Sequence, residues 1–274
     1  MSEITIGTVI VQKRKELGYT QQALAEKLHV SFQAVSKWEN GSACPEITLL
    51  PELAKVLGTS VDTLLGYRTV VAADYEERYQ AEEYFWGLNP NYLCYEIMKL
   101  RPPVKPLRVL DMGCGEGKDA VFLAKNGYLV TAFDQSEAGL EKGRKLAEKS
   151  GVYVDFLQAD INDFTLKEQY DIIFCSGVFH YVKPEKRAEI VDYIKKHTVT
   201  GGLNVLNVFV EKPYLKDKER KQAKLWKTGE LFNLYHDWMF HNMEEFVFDC
   251  NSGGVPHKHC MDVMIAEKME PLKK

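Results

Sequence analysis

No stretch of this 274-residue sequence approaches a membrane span, which takes about 20 consecutive apolar residues. The opening MSEITIGTVIVQKRKELGYT has neither the n-region nor the cleavage site of a secretory signal. There is no excess of positive charge. The formal net charge is −4, so the global balance does not mark a nucleic-acid binder. Cysteine is sparse, at positions 44, 94, 114, 175, 250 and 260, and no two form a CxxC pair. That argues against a disulfide framework or a zinc finger and predicts reduced thiols in a cytoplasmic protein. What is present is ordinary for a globular chain: 45% hydrophobic and 27% charged residues, at a length that suggests about two domains.

The two halves read differently. Residues 5 to 66 hold short amphipathic segments split by turns. TIGTVIVQKRKELG closes on Gly18, Thr20 is placed to cap QQALAEKL, and Gly41 stops FQAVSKWENG. EITLLPELAKVLG and VDTLLG follow. Two short helices joined by a tight turn inside such a unit are helix-turn-helix spacing. From Lys13 to Gly66 the residues resemble the Cro/C1-type (XRE-like) helix-turn-helix family, through Gln21, Ala25, Val35, Trp38, Glu39 and the later LAKVLGTSVDTLL. The resemblance implies a third helix entering the major groove of double-stranded DNA, with Ser31, Gln33, Ala34, Ser36 and Lys37 facing it and Gln21 touching phosphate. It also makes a homodimer natural, since two-fold half-sites pair with two-fold proteins. Against this, the segment to residue 66 holds six Lys or Arg and seven Asp or Glu. Phosphate neutralisation supplies most non-specific affinity, so a protein-contact or dimerisation role stays open.

Residues 67–83 read as a linker, weakly patterned at 70–73 and charged from 74 to 83. YFWG at 84–87 is either a hydrophobic anchor on the following domain or an aromatic lid over a cationic ligand. Pro102, Pro103 and Pro106 end any helix before the next segment.

From residue 108 apolar strands alternate with helical stretches. LRVLDMG, YLVTAFD, VYVDFLQAD, YDIIFCSG, LNVLNVFV and CMDVMIAEK read as strands, and KDAVFLAKNG, SEAGLEKGRKLAEKSG and KRAEIVDYIKKHTVTGG as helices. The alternation predicts a mainly parallel, doubly wound α/β sheet covered on both faces, with ligands at the carboxyl ends of its strands. Gly113, Gly115 and Gly117 then fall in the first strand-to-helix turn, where a bare backbone can approach a ligand closely. Their spacing is G-x-G-x-G. It is neither the dinucleotide G-x-G-x-x-G nor a Walker A loop, because Met112 and Asp119 occupy positions that a glycine and a Ser or Thr would need. Asp111, Asp134 and Asp160 close three strands. Acidic ends around a glycine turn suit a cationic ligand bearing a diol and an exocyclic amine, and S-adenosylmethionine has all three without a phosphate.

VLDMGCGEG, AFD, QADI and YDIIFCSGVFHYV resemble successive motifs of class I S-adenosylmethionine-dependent methyltransferases. Within that class, LDMGCGEGKDAVFLAKNGYLVTAFDQSE and YHDWMFHNMEE are most similar to TehB-like proteins, over about residues 84–268. The resemblance implies that Asp111 orients the turn or the methionine ammonium, with Gly113, Cys114, Gly115 and Gly117 beside it. Asp134 would bind the ribose, Gln135 border the adenine, and Asp160 and Ile161 meet its amine and ring. Ser176, closing the fourth strand, joins this cofactor set. Tyr84 and Trp86 are candidates for cation–π contact with the sulfonium. The methyltransferase domain is expected over 84–270, behind the helical domain at 1–66.

Methyl transfer from a sulfonium is an in-line displacement, so the protein mainly supplies alignment and a dry pocket. A soft anionic nucleophile needs no base. For an amine or hydroxyl, His180 and Tyr181 are the candidates, the alternative for His180 being packing at a helix start. The fourth-strand segment CSGVFHYV contains neither [DNS]-P-P-[YFW] nor a Pro-Cys pair, so a DNA-modification methylase is not expected. No arginine follows Arg220, while His236, His241, His257 and His259 occupy the C-terminal part. That disfavours an oxyanion acceptor. His257, His259 and Cys260 lack an evident fourth metal ligand, and a polar rim or surface loop is the preferred reading, with no metal expected. The acceptor is expected to be a small molecule: a thiol, a chalcogen compound such as tellurite, or a drug. The alternative is a transcriptional regulator using the second domain as a sensor of S-adenosylmethionine or another metabolite.

Overall fold

The computed structural model describes residues 5–59, 61–65, 75–215, 224–250 and 257–270, with the side chains at 16, 62, 63 and 257 excepted. These divide into two units, one ending at residue 65 and one beginning at residue 75. Most of the expected linker, residues 67–74, lies outside the described residues, as does Gly66.

In the first unit, α1 (Ile6–Glu16), α2 (Gln21–Lys27), α3 (Phe32–Glu39), α4 (Leu50–Val56) and α5 (Val61–Leu64) surround a core of Ile10, Leu24, Val35, Leu53, Leu57 and Leu64. Side-chain caps set the starts. Thr5 and Thr8 form a capping box, Thr20 accepts from the Ala23 N–H at 3.0 Å, and Ser31 accepts from the Ala34 N–H at 3.2 Å. The turn between α2 and α3 is made by His29, a non-glycine residue at φ +55°. Helices α1 and α3 cross closely: a Cβ on Gly7 would lie 2.2 Å from the Trp38 carbonyl oxygen.

The second unit carries α6 (Tyr75–Tyr79), α7 (Tyr92–Leu100), β1 (Arg108–Met112), α8 (Lys118–Lys125), β2 (Leu129–Asp134), α9 (Glu137–Lys149), β3 (Val154–Gln158), β4 (Tyr170–Cys175), α10 (Arg187–Lys196), β5 (Thr198–Val210), α11 (Glu230–Leu234), β6 (Met239–Cys250) and β7 (His257–Glu267). The sheet runs β3-β2-β1-β4-β5-β7-β6. The first five strands in that order pair in parallel, and β7 is antiparallel to both β5 and β6. One face packs Leu110, Met112, Ile173, Leu206 and Val208 against α10 and Trp226. The other packs Val109, Ile172, Phe174 and Val205 against α7 and α8. The order reverses direction between β1 and β4, and in such sheets the crevice at the carboxyl ends of that pair is the ligand position.

Three elements differ from the sequence expectations. HTVTGG does not extend α10. The β-branched run at 198–200 starts β5, and Thr198 Oγ1 donates to the Ile194 carbonyl at 2.8 Å to close the helix. Strand β6 was not anticipated, because this edge strand is mostly exposed and its polar residues hide the alternation of Phe246 and Phe248. Residues 75–83, expected as linker, include α6, whose Tyr79 is buried in the second unit.

Candidate functional site

The glycine turn is shaped by neighbouring backbone. Gly113, Gly115 and Gly117 have φ of +74°, +54° and +76°, a region L side chains rarely adopt. A Cβ on Gly117 would sit 2.9 Å from the Cα of Gly143, and one on Gly139 would sit 2.8 Å from the Gly115 carbonyl oxygen. Gly139 and Gly143 lie four apart on one face of α9, which lets the helix press against the turn. A Cβ on Gly113 would meet Val178 at 2.5 Å.

Two carboxylates border this turn. Asp111 is buried, and its Oδ2 has no hydrogen-bond partner among the described residues. Burial first, then the charges of Asp119 and Asp134, push its carboxyl well above the usual range, and the Lys118 ammonium offsets this only in part. Asp134 accepts from the Gly115 N–H at 2.8 Å and the Ser136 N–H at 2.9 Å. Burial raises it nonetheless. Cys114 and Cys175 are held as thiols by burial, which makes them poor nucleophiles.

Across the crevice, the Ser176 hydroxyl accepts from the side-chain amides of Asn91 and Asn207, each at 2.9 Å. The Asn91 N–H in turn donates to Asp119 at 2.6 Å. Asp160 is exposed and accepts from the Asn162 N–H at 2.8 Å. Gln135, also exposed, accepts from Gln158 at 3.1 Å, and Ile161 is buried.

The aromatic candidates separate. The Trp86 indole N–H donates to the Tyr79 hydroxyl at 3.0 Å, and that hydroxyl lies 2.8 Å from where a Gly115 Cβ would be. Tyr84 points to α9 instead: its hydroxyl donates to the Lys142 carbonyl at 3.2 Å, and the Lys142 ammonium sits 4.9 Å from its ring centre. Tyr181 brings its hydroxyl within 3.4 Å of that of Tyr75. His180 is buried, with ring centroids 4.4 Å from Tyr181 and 4.3 Å from Phe209. His259 stacks on the same Phe209 at 4.7 Å, while the His257 side chain lies outside the described residues. His241 does not join them. It pairs with Glu267 at 2.6 Å, at the opposite end of β7.

Sequence reasoning did not single out Tyr75, Glu76, Tyr79, Asn91, Glu116, Lys142 or Asn207. Glu116 carried a visible signal, a charge inside a glycine turn. Asn91 caps α7, and the others lie in helices or strands with no motif of their own.

In the helical unit, Gln33 and Lys37 are exposed on α3, Ala34 and Ser36 are half-buried, and Ser31 is committed to its cap. The Gln21 amide donates to Glu39 at 2.7 Å, beside an Arg14–Glu39 pair with contacts of 2.6 and 3.0 Å. Gln21 is thus part of the clasp between α1, α2 and α3, a role its sequence position did not suggest.

The sheet order and its covering helices define a Rossmann-like, class I methyltransferase fold behind a helix-turn-helix unit. Comparison with known proteins agrees. The family model Tellurite resistance protein TehB matches residues 79–252, more than half of the chain, and the model Helix-turn-helix matches residues 10–64. The chain belongs to the TehB family. It is 29% identical over 167 residues to a Haemophilus influenzae protein named "Probable S-adenosyl-L-methionine-dependent methyltransferase TehB", covering 58% of this chain and 56% of that one. It is 30% identical over 112 residues to a Rickettsia conorii ubiquinone biosynthesis O-methyltransferase, covering 41% and 38%. The chain thus spans about half or less of these relatives' length. The crystal structure of TehB from Haemophilus influenzae superposes with a TM-score of 0.60 at 24% identity, over 71% of this chain and 65% of that one. Among the described residues no helix is long and apolar enough to cross a membrane.

Proposed function

We propose that the chain is an S-adenosylmethionine-dependent methyltransferase of a small molecule, working in the cytoplasm and fused to a helix-turn-helix that binds double-stranded DNA. One observation carries the enzymatic part: the buried Asp111 oxygen, without a hydrogen-bond partner among the described residues, beside a turn held at positive φ by Gly113, Gly115 and Gly117. An orphaned carboxylate oxygen in the interior is costly unless a ligand completes it. A ligand carrying both an ammonium and a sulfonium fits that need, and the relatives' names point to the same cofactor.

In this reading Asp111 and Lys118–Asp119 set the charge around the amino-acid end, and Asp134 offers the ribose the carboxylate already aimed by Gly115 and Ser136. The bound cofactor supplies an activated methyl group. The acceptor's lone pair would take that methyl group, with S-adenosylhomocysteine as the other product. Ser176, expected in the cofactor set, is held by Asn91 and Asn207, and these neutral hydrogen-bonding groups would also border the acceptor, which favours an uncharged or thiol acceptor over an oxyanion. For a hydroxyl or amine acceptor, the His180 imidazole would take the proton, with the Tyr181 hydroxyl as a hydrogen-bonding partner of the acceptor. Calorimetric titration with S-adenosylmethionine tests the site, and formation of S-adenosylhomocysteine across an acceptor panel tests the reaction. No heat with the wild type, or an undiminished affinity in Asp134→Asn and Asp111→Asn, overturns the cofactor assignment.

The fused helical unit supports a second reading, a regulator that uses the cofactor as a signal. A sensor binds S-adenosylmethionine without turnover, and its operator affinity changes with the ligand.

A further inference from the structure

The segment leading into the second unit is fastened to the glycine turn at several points. The Tyr79 ring lies against two glycines, with its hydroxyl 2.8 Å from a Cβ position on Gly115 and its Cδ2 2.8 Å from one on Gly139. Tyr75 stands beside it at 5.7 Å between ring centres, 6.1 Å from Trp86 and 6.4 Å from Tyr181. Polar anchors hold both ends. The Glu76 carboxylate accepts from the Ser136 hydroxyl at 2.5 Å and the Ala138 N–H at 3.2 Å, at the start of α9. Glu116, inside the turn and buried, accepts from the N–H groups of Phe85 at 3.1 Å and Trp86 at 3.2 Å and pairs with Lys142 at 2.6 Å. Lys142 donates onward to the carbonyls of Ala81 and Glu83 at 2.8 and 2.6 Å.

A buried ion pair is a weak source of stability and is best explained by what it positions. Here one side of the pair belongs to the cradle and both sides hold the strap. We propose that residues 75–86 roof the cofactor site, that Tyr79 is a cofactor-contacting residue, and that Glu116 and Lys142 are positioning residues that latch the roof. The aromatic faces of Tyr75, Tyr79 and Trp86 then meet the cationic end of the cofactor, with the Tyr79 hydroxyl fixed by the Trp86 indole. This rests on the cofactor reading above and adds the residues that would give the site its preference for a sulfonium.

The test compares S-adenosylmethionine, which carries the positive sulfur, with S-adenosylhomocysteine, which does not. Both are titrated into the full chain and into Tyr79→Leu, Trp86→Leu and Glu116→Gln, with melting temperature recorded for each. Loss of an aromatic face from a cation is worth roughly 3- to 30-fold in affinity. Each variant is expected to weaken S-adenosylmethionine by that factor and S-adenosylhomocysteine by clearly less. Glu116→Gln should also speed tryptic cleavage after Arg78. A merely structural latch would raise cleavage and leave the ligand ratio unchanged, which overturns the proposal. If Glu116→Gln does not fold, the exposed Trp86→Leu carries the same comparison, and an unchanged ratio there and in Tyr79→Leu overturns it. Failure of the wild type to bind either ligand overturns the cofactor reading instead.

Discussion

At the scale of single residues, two positions make sharp demands. Gly113 needs φ +74° and has Val178 within 2.5 Å of any Cβ. Gly113→Ala should cost about 2–4 kcal/mol, through backbone strain plus overpacking. It should also abolish cofactor binding, as read by thermal melting and calorimetry together. Asp262 on β7 is the second. It is fully buried, accepts from the Gly229 N–H at 3.1 Å, and faces Glu245, which is paired with Lys212 at 2.6 Å. Burial, reinforced by Glu245, pushes its carboxyl up to about 6 from the ordinary 3.8. The folded form therefore keeps a proton that the unfolded chain has lost, so this group's contribution falls as pH rises from about 4 to about 6 and stays low above that. Asp262→Asn mimics the protonated acid. It should be more stable than the wild type at pH 8 by about 1–3 kcal/mol, with the advantage gone below about pH 4. Denaturant midpoints across that range check the sign.

At the scale of elements, the clasp in the helical unit gives a parallel case of opposite sign. Burial raises Glu39, but the Arg14 and Gln21 hydrogen bonds and the Arg14 charge outweigh it, so the carboxyl sits below its usual 4.5. Its stabilisation is present above that value and is lost as pH falls through the lower, folded one. Glu39→Gln should cost about 1–3 kcal/mol at neutral pH by removing the carboxylate that pairs with Arg14, whose remaining bond is to the Tyr19 carbonyl. The readout is faster hydrogen exchange in α1 and α3, with the second unit unchanged. Such contacts explain what the sequence could show. Period and caps made α1 to α3 and β1 to β5 readable, and the strand-end carboxylates located the crevice. Pairing between distant segments was hidden. Glu116 reads as a loop charge until Phe85, Trp86 and Lys142 are seen around it, and Tyr79 reads as linker until Gly115 and Gly139 leave room for its ring. Strand β6 escaped because one face of this edge strand is exposed and the other only half-buried, so polar residues mask the alternation of Phe246 and Phe248.

At the scale of the whole molecule, a helix-turn-helix unit precedes a class I methyltransferase fold whose first described element is the aromatic strap at 75–86. The glycine stripe on α9 bears on how fast the proposed cofactor site fills. Because helix backbone already forces the bend at 113–117 into shape, an arriving nucleoside has nothing there to rearrange. Under the proposed roof, residues 75–86 form the barrier that an entering ligand meets. Stopped-flow traces of tryptophan emission, taken as the difference from Trp86→Leu, should therefore level off at high ligand concentration, at a ceiling set by how often the doorway opens, and Glu116→Gln should lift that ceiling. A rate that climbs linearly without limit in both proteins would mean the door never closes.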